Sequence, residues 1–314
     1  MKKVLCILFL APLIGFSQQL PLSAQYTINP YFLSPAFSGH NANYEAFLGY
    51  QRSWLGVQGA PELKLFNVNG PIGEKMGIGA SVIDDQVGIF RSLQMTISYA
   101  YHLQVGTSSK VSFGAQAGMI DQHIEMPNGG FNDPAALSVQ GNQKKHLNTG
   151  VGVNYQWKNL DAGIVIPYLL QNTTQASDTG SASYIQSRHF RLHARYLYGL
   201  NADWSIRPVA VANFTGKSFH ADFNALVNYK NFAWLGAGYN TGNSINIHVG
   251  GLPLSFLSVQ YSYGISGSGI LAESNGNHEF TLGLLIGASD SQPSSIFGRK
   301  ASDKQKSYYK WLNF

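Results

Sequence analysis

The clearest pattern along the chain is a strict alternation of apolar and polar side chains. In residues 92–103 the odd positions are Leu, Met, Ile, Tyr, Tyr and Leu, and the even positions are Ser, Gln, Thr, Ser, Ala and His. Residues 146–157 repeat the pattern. Neighbouring side chains of a strand point to opposite faces, so these segments predict strands with one apolar face. Segments of about 9–11 residues with this alternation are typical of tilted strands that cross a membrane.

Fourteen segments alternate in this way, seven of them clearly and seven more weakly. The clear ones are 92–103, 111–122, 146–157, 188–200, 220–229, 257–263 and 279–286. The weaker ones are 43–54, 63–70, 76–83, 160–169, 204–214, 232–239 and 245–250. Bacterial single-chain barrels have an even number of strands. The predicted fold is therefore all-β, a transmembrane antiparallel up-and-down β-barrel of about 14 strands.

The connections between these segments differ in length in a regular way. Those after even-numbered strands are short: 70–75, 106–109, 158–159, 201–203, 230–231 and 251–256. Those after odd-numbered strands are mostly long, with 216–217 as the exception: 55–62, 84–91, 123–145, 170–187 and 264–278. Outer-membrane barrels have short periplasmic turns and longer outer loops. We therefore expect both ends of the chain to lie in the periplasm.

The first residues have the pattern of a signal peptide, 1–17. Lys2 and Lys3 precede a short apolar run that ends in small residues suited to cleavage. An uncleaved anchor is the alternative. Cys6, the single cysteine, lies in this run, so the mature chain would have no thiol chemistry. The remainder divides into an N-terminal periplasmic segment (18–40), an outer-membrane barrel (41–287) and a C-terminal periplasmic tail (288–314).

The C-terminal tail is polar at first and then basic and aromatic. Its cations are Arg299, Lys300, Lys304, Lys306 and Lys310. Its last residue, Phe314, also resembles the end of a closing barrel strand, but that reading would give an odd strand count. The tail either folds against the barrel or a partner, or is disordered.

Composition supports the membrane interpretation. Charged residues make up 12% of the chain, about half of the ~25% usual in soluble proteins. A soluble β-sandwich would also alternate, but its water-facing side would carry Lys and Glu, whereas the polar face here is rich in Gly, Ser and Asn. The net charge of +5 forms no basic stripe, so nucleic acid is not an expected partner.

Several charged residues fall on the inward face of the predicted strands. Lipid-facing Arg or Lys near mid-membrane would cost ~2–4 kcal/mol, so these positions should face the lumen. The candidate lumen polar network is Arg191, His193, Arg195, His220, Asp222, Asp161 and Glu279. The arginines either anchor an inner plug or neutralise the acids. In both cases the lumen would be closed rather than a wide channel.

The same residues could form an active site, with His193 or His220 next to a serine or a metal. No nucleophile elbow, HExxH motif or pair of catalytic carboxylates accompanies them. We expect no catalytic residues, no metal site and no cofactor, so the protein is predicted not to be an enzyme. Asp84-Asp85 is read either as a calcium site or, preferably, as a turn.

Three stretches resemble the PorP/SprF family of the type IX secretion system of Bacteroidetes. Residues 25–39 are similar to its N-terminal signature of paired Asn-Pro motifs, with Ser34 where Asn is usual. Residues 50–61 and 77–88 are similar to two further strand-and-loop segments. The residues that carry the resemblance are Asn29, Pro30, Pro35, Gly39, Arg52, Trp54, Gly59, Pro61, Asp85 and Gly88. The prolines also predict an irregular segment able to cap or plug the barrel.

The resemblance implies an outer-membrane protein that works with the type IX machinery in protein secretion or gliding motility. Expected partners are the C-terminal domain of secreted cargo such as a cell-surface adhesin, peptidoglycan-linked periplasmic components, and the lipid bilayer. A porin or small-solute transporter is the alternative, and a barrel hydrolase is a third possibility.

Overall fold

The computed structural model describes residues 23–41, 43–124, 144–170, 172–175, 183–186, 188–216, 218–230, 232–242, 244–266 and 274–286. The predicted signal peptide and the C-terminal tail lie outside the described residues. Among the described helices none is long and apolar enough to cross a membrane.

The described chain forms one closed antiparallel barrel of fourteen strands, as predicted. The barrel strands are β1 (Tyr44–Arg52), β2 (Glu62–Ile72), β3 (Met76–Val87), β4 (Phe90–Gly106), β5 (Ser109–Ile124), β6 (Lys144–Trp157), β7 (Leu160–Ile166), β10 (His189–Tyr196), β12 (Trp204–Thr215), β13 (Ser218–Tyr229), β14 (Ala233–Asn240), β15 (Ser244–Leu254), β16 (Leu257–Ser266) and β17 (Asn277–Ile286). A separate hairpin, β8 (Asn172–Gln175) and β9 (Ser183–Gln186), and the two-residue β11 (Tyr198–Gly199) complete the elements. Pairing of β1 with β17, from Tyr44↔Ile286 to Arg52↔His278, joins the two ends of the chain's strand series.

One end of the barrel carries short turns and the other carries most of the long connections. We name them the turn end and the loop end. Residues 107–108, 158–159 and 255–256 are turns at the turn end, where β1 begins and β17 finishes. At the loop end, residues 53–61 form a long connection.

One predicted loop is wrong. Residues 84–91 continue the ladder of β3 and β4, which join through a two-residue turn at Gly88 and Ile89. Arg91 holds this hairpin together, since its Nε and Nη2 atoms each donate to a carboxylate oxygen of Asp84 at 2.8 Å. Asp84-Asp85 is therefore strand rather than turn, and no metal-holding cluster occurs among the described His, Cys, Asp and Glu residues.

Two prolines shorten strands relative to the prediction. β7 ends at Ile166, directly before Pro167. The ladder between β10 and β12 stops at Arg195↔Val209 and resumes at Tyr198↔Ile206, because Pro208 has no N–H to donate. The N–H of Leu197 donates instead to Asn159 O at 3.1 Å.

The alternation separates a lipid face from a lumenal face. On β4, Ile97 is 69% exposed, whereas its neighbours Thr96 and Ser98 are 7% exposed. Large apolar residues are exposed in the same way around the barrel, and the inward positions are polar or small. An apolar outer band with a polar interior is the arrangement of a transmembrane barrel.

This face gives a first testable prediction. Leu48 lies at the centre of β1 and is 53% exposed. Leu48→Arg would place a cation in the lipid, which costs ~2–4 kcal/mol at the bilayer midplane. We expect a lower folded fraction in urea titrations of vesicle-inserted protein, read from gel mobility without heating. Leu48→Met is the control and should fold like wild type, and equal folding of the arginine variant would place Leu48 outside the hydrocarbon.

Candidate functional site: a plugged lumen

The segment that precedes β1, residues 23–41, forms three short 3-10 turns: η1 (Ala24–Thr27), η2 (Pro30–Phe32) and η3 (Pro35–Phe37). Ser23, Asn29 and Ser34 cap them, each accepting a hydrogen bond from the backbone N–H two residues later. Proline occupies the first position of η2 and η3, where its missing N–H costs nothing. The sequence therefore folds this segment as capped turns rather than as a fifteenth strand.

This segment lies inside the barrel, and we call residues 23–41 the plug. It hydrogen-bonds inward-facing side chains from strands spread round the circumference, which only a segment in the lumen can do. The contacts join Ser23 to Glu279 of β17, Asn29 to Asn67 of β2, Tyr31 to Ser98 of β4, Phe32 to Arg191 of β10, Tyr26 to Asn224 of β13 and Thr27 to Gln260 of β16.

The sequence predicts a periplasmic segment at residues 18–40 that is able to cap or plug the barrel. The described part of that segment, 23–40, is almost wholly buried inside the barrel. Apolar contacts of the plug supply the reason: Tyr26, Leu33 and Phe37 pack with Val209 and Val211, two apolar side chains of the lumenal wall. Burying these side chains removes apolar surface from water.

Glu279 binds the beginning of the plug. Its carboxylate accepts hydrogen bonds from Ser23 Oγ at 2.6 Å, Ala24 N at 2.7 Å and Gln25 N at 2.9 Å. Free N–H groups at the start of a helical turn favour an anion, and charge-assisted hydrogen bonds are the strong ones. The carboxylate thereby fixes the plug to β17.

Arg191 binds the middle of the plug. Its Nη1 donates to the carbonyl oxygens of Phe32 and Leu33 at 3.4 and 3.3 Å, and its Nε donates to Asn213 Oδ1 at 2.8 Å. The side chain is 4% exposed. It binds two plug carbonyl groups that take no part in the hydrogen bonds between strands.

Arg195 contacts the plug closer to the turn end than Arg191 does. Its Nη2 lies 3.0 Å from Asp161 Oδ2, and its guanidinium lies 5.0 Å from the ring centre of Phe37. The Phe37 ring also lies 5.3 Å from that of His193, whose Nε2 is 3.1 Å from Asn154 Oδ1. The two contacts with the Phe37 ring therefore hold the last turn of the plug, and the ion pair with Asp161 fixes the Arg195 side chain beside it.

Neutral side chains complete the plug contacts. Asn67 donates to Gln25 Oε1 at 2.8 Å and accepts from Asn29 at 2.7 Å. The hydroxyl groups of Tyr31 and Ser38 each lie 2.8 Å from Ser98 Oγ. Burial raises the pKa of Tyr31 to about 12, so its hydroxyl remains neutral.

Glycines form recesses in the wall where the plug backbone sits. A Cβ at Gly114 would lie 2.2 Å from Ala36 N, and one at Gly77 would lie 2.0 Å from Ser38 O. Gly39, one of the family-like positions, has φ +62° and no space for a Cβ, since Gly77 Cα would be 2.6 Å away. Only glycine permits both the left-handed conformation and this close approach.

His220 and Asp222 lie on β13, and Asp222 also interacts electrostatically with Arg191 and with Tyr26 of the plug. Their Nε2 and Oδ2 atoms are 3.0 Å apart. The hydroxyl found near His220 is that of Thr241, 3.4 Å from Nδ1, and it already accepts the N–H of Ala221 at 2.9 Å.

The other family-like residues lie at the loop end. The N–H of Gly88 donates to Gly59 O at 3.1 Å, so the turn after β3 contacts the connection after β1. Pro61 O accepts from Ser53 N at 2.9 Å. Trp54 has φ 53°, and its N–H donates to Asn277 Oδ1 at 3.1 Å. Arg52 is exposed at the end of β1, and Asp85 pairs in register with Leu63 and Ser92.

Several plug-binding residues were missed from the sequence. They are the neutral Asn67, Ser98, Asn224 and Gln260 and the glycines Gly77, Gly114 and Gly152. The sequence does show amides and glycines at inward positions of the strands. These residues are so common along the strands that their presence did not identify the ones that contact the plug.

The fold and the filled lumen define the class of this protein: an outer-membrane β-barrel closed by its own N-terminal segment. A match to the family described as "Type IX secretion system membrane protein PorP/SprF" covers residues 15–284. The chain therefore belongs to the PorP/SprF family, which confirms the resemblance seen in its motifs. No curated protein matches the chain.

Solved structures share the barrel. The CymD monoaromatic hydrocarbon channel is 13% identical, with a TM-score of 0.51 over 86% of this chain and 94% of that chain. The toluene transporter TbuX of Ralstonia pickettii is 10% identical, with a TM-score of 0.49 over 82% and 93%. At this level of identity the likeness shows the fold alone.

Proposed function

We propose that this protein is a non-enzymatic docking component of the type IX secretion system. It holds secreted cargo, such as a cell-surface adhesin, at its loop end and contacts periplasmic machinery at its turn end. The observation that carries the proposal is the plug, which the wall binds on all sides. A lumen filled in this way suits a docking platform better than a conduit, and family membership supports the secretion system.

In this proposal the turn end faces the periplasm, as short turns do in outer-membrane barrels. β1 begins and β17 finishes at that end, with Tyr44 paired to Ile286. The basic tail, 288–314, follows from there and would meet peptidoglycan-linked components. The lumenal side chains of Arg191, Arg195 and Glu279 serve the function by keeping the plug in place.

Deletion of the gene in its native host tests the docking role. We expect surface cargo and gliding to be lost while other outer-membrane proteins stay at normal levels, and the full-length gene should restore both. Cargo is measured as protease-accessible protein on whole cells. Affinity purification of the tagged protein from native outer membranes should retain cargo and periplasmic components. Normal cargo display and gliding in the deletion strain would contradict the proposal.

The alternative, a porin or small-solute transporter, is tested by conductance. Purified wild-type barrels in planar bilayers are expected to give no steady single-channel currents, because the plug fills the lumen. Currents comparable to those of a general porin would favour the transporter instead. A heat-denatured sample of the same preparation is the control for contaminating pores.

A further inference from the structure

A small pocket lies between the plug and the loop end of the barrel. Plug residues 31–35 form its floor, and Ser81, Gln94, Gln116, Tyr168 and Arg191 contribute to its walls. Its cavity volume is about 70 Å³, which is far too small for a folded domain.

The pocket opens towards the loop end. Ile83, which also lines the pocket, lies in the half of β3 that leads to the loop end, and Gln94 lies near the beginning of β4 on the same side. Tyr168 follows β7 in the connection at that end. Any ligand would therefore arrive from the loop end, with the plug below it.

Arg191 brings an unused donor group to this pocket. Its Nε and Nη1 atoms bind Asn213 and two plug carbonyls, whereas Nη2 has no hydrogen-bond partner among the described residues. The side chain is 96% removed from solvent in the folded chain, since its exposure is 4%. Three bonds fix the guanidinium, so its remaining N–H groups are presented in a constant direction.

The surroundings of Arg191 are suited to a single negative charge. Among the described residues, Arg191 is the one charged side chain that lines the pocket, and no described Asp or Glu accompanies it there. The other polar walls are neutral amides and hydroxyls. Tyr168 donates to Gln94 Oε1 at 2.9 Å, which leaves the amide nitrogen of Gln94 as a donor. Neutral donors and acceptors of this kind match a peptide backbone.

We propose that this pocket binds the terminal carboxylate of an extended peptide segment that enters from the loop end, with Arg191 as its ionic partner. The inference rests on the proposed docking function and gives it a contact point. A multiply charged phosphate group would require further cations, and the described part of the pocket lining contains none besides Arg191.

Three peptides test this site on the full-length protein in nanodiscs. They are an acetylated pentaalanine with a free carboxylate, the same peptide as its amide, and the amide with glutamate as its last residue. Saturation-transfer difference NMR measures their binding and tolerates weak affinities. We expect the free acid to bind at least ~10-fold more tightly than either amide, the factor that corresponds to 1.4 kcal/mol.

Variants locate the binding. Arg191→Met should bring the acid and amide affinities to within about twofold, while Arg188→Met, which removes an exposed arginine at the loop end, should leave the preference intact. Arg191 also holds the plug, so Ser81→Trp provides an independent test. It fills the pocket without removing any contact of Arg191, and we expect it to abolish binding of all three peptides.

Equal binding of acid and amide would overturn the proposal. So would an acid preference that survives both Arg191→Met and Ser81→Trp, or equal binding of the glutamate peptide, which would assign the site to side-chain carboxylates. If the free acid does not bind more tightly than the amides while gene deletion still removes surface cargo, the carboxylate site alone is refuted. If they bind as expected but the deletion strain displays cargo normally, the docking function is refuted.

Discussion

Barrels that carry Gly114→Val are expected to release the plug and to conduct ions. A Cβ at position 114 would lie 2.2 Å from Ala36 N and 2.4 Å from Pro35 C. Both atoms belong to the plug backbone, so no side-chain rotation relieves the overlap. Overpacking of a tight site typically costs 1–3 kcal/mol, occasionally more. The plug, which is held by noncovalent contacts alone among the described residues, should yield before the barrel wall does.

Two measurements detect release of the plug. Planar bilayers should show single-channel currents that the wild-type protein lacks. Chymotrypsin should cleave after Tyr26 and Tyr31 about 100-fold faster, because cleavage follows the open population and 100-fold corresponds to ~2.7 kcal/mol.

Ala115→Val is the matched control for this variant. It adds bulk to the next residue of β5, whose side chain is exposed on the lipid face. It should leave the plug protected and the barrel closed. A folded Gly114→Val barrel with a protected plug and no current would show that the plug does not sit against this glycine.

Glu279→Ala is expected to detach the beginning of the plug. The substitution removes the acceptor of three buried donors, Ser23 Oγ, Ala24 N and Gln25 N. An unsatisfied buried donor costs about 1–3 kcal/mol, so the combined loss should reach ~3 kcal/mol or more. Glu279→Gln should be intermediate, because its amide oxygen still accepts hydrogen bonds but carries no full charge.

Hydrogen exchange measures this change locally. Exchange of the Ala24 and Gln25 amides should accelerate by about 100-fold or more in Glu279→Ala, while amides in the centre of β4 stay protected. Glu62→Ala is the control, because Glu62 pairs with Lys64 at 2.8 Å on the exposed surface and such pairs are worth ~0–1 kcal/mol. Unchanged protection of Ala24 in Glu279→Ala would contradict the anchoring role.

Much of the barrel could be predicted because its rules are local. A strand exposes alternate residues, and a membrane requires apolar groups on one face, so β4 and β6 can be predicted from the sequence alone. The failures are also local in origin. Residues 84–91 look like a loop, with two aspartates and a glycine, yet the pair of Arg91 with Asp84 keeps them in the ladder. Pro208 interrupts the pairing of β10 at a position that alternation alone does not reveal.

The candidate site was predictable only in part. Arg191, Arg195 and Glu279 could be identified as inward residues because charge is costly in lipid. The equally buried Arg207 and Glu45 were not identified. The partners of the three identified residues were not identifiable. Arg191 and Glu279 bind backbone groups of the plug, which every residue possesses, so no side-chain pattern marks them.

The sequence by itself determined the all-β class, the fourteen strands, the lipid and lumenal faces and the family. Each depends on short-range periodicity or on motifs that can be recognised without knowing which residues are neighbours in space. Only the tertiary structure decided where residues 23–41 lie, because closure of the barrel brings β2, β10 and β17 around one point. It also decided the meaning of Gly114, a small residue in a strand until the plug backbone is seen 2.2 Å from its missing Cβ. Packing between segments distant in sequence leaves no periodic trace, and for that reason the plug and the pocket above it emerge from the fold.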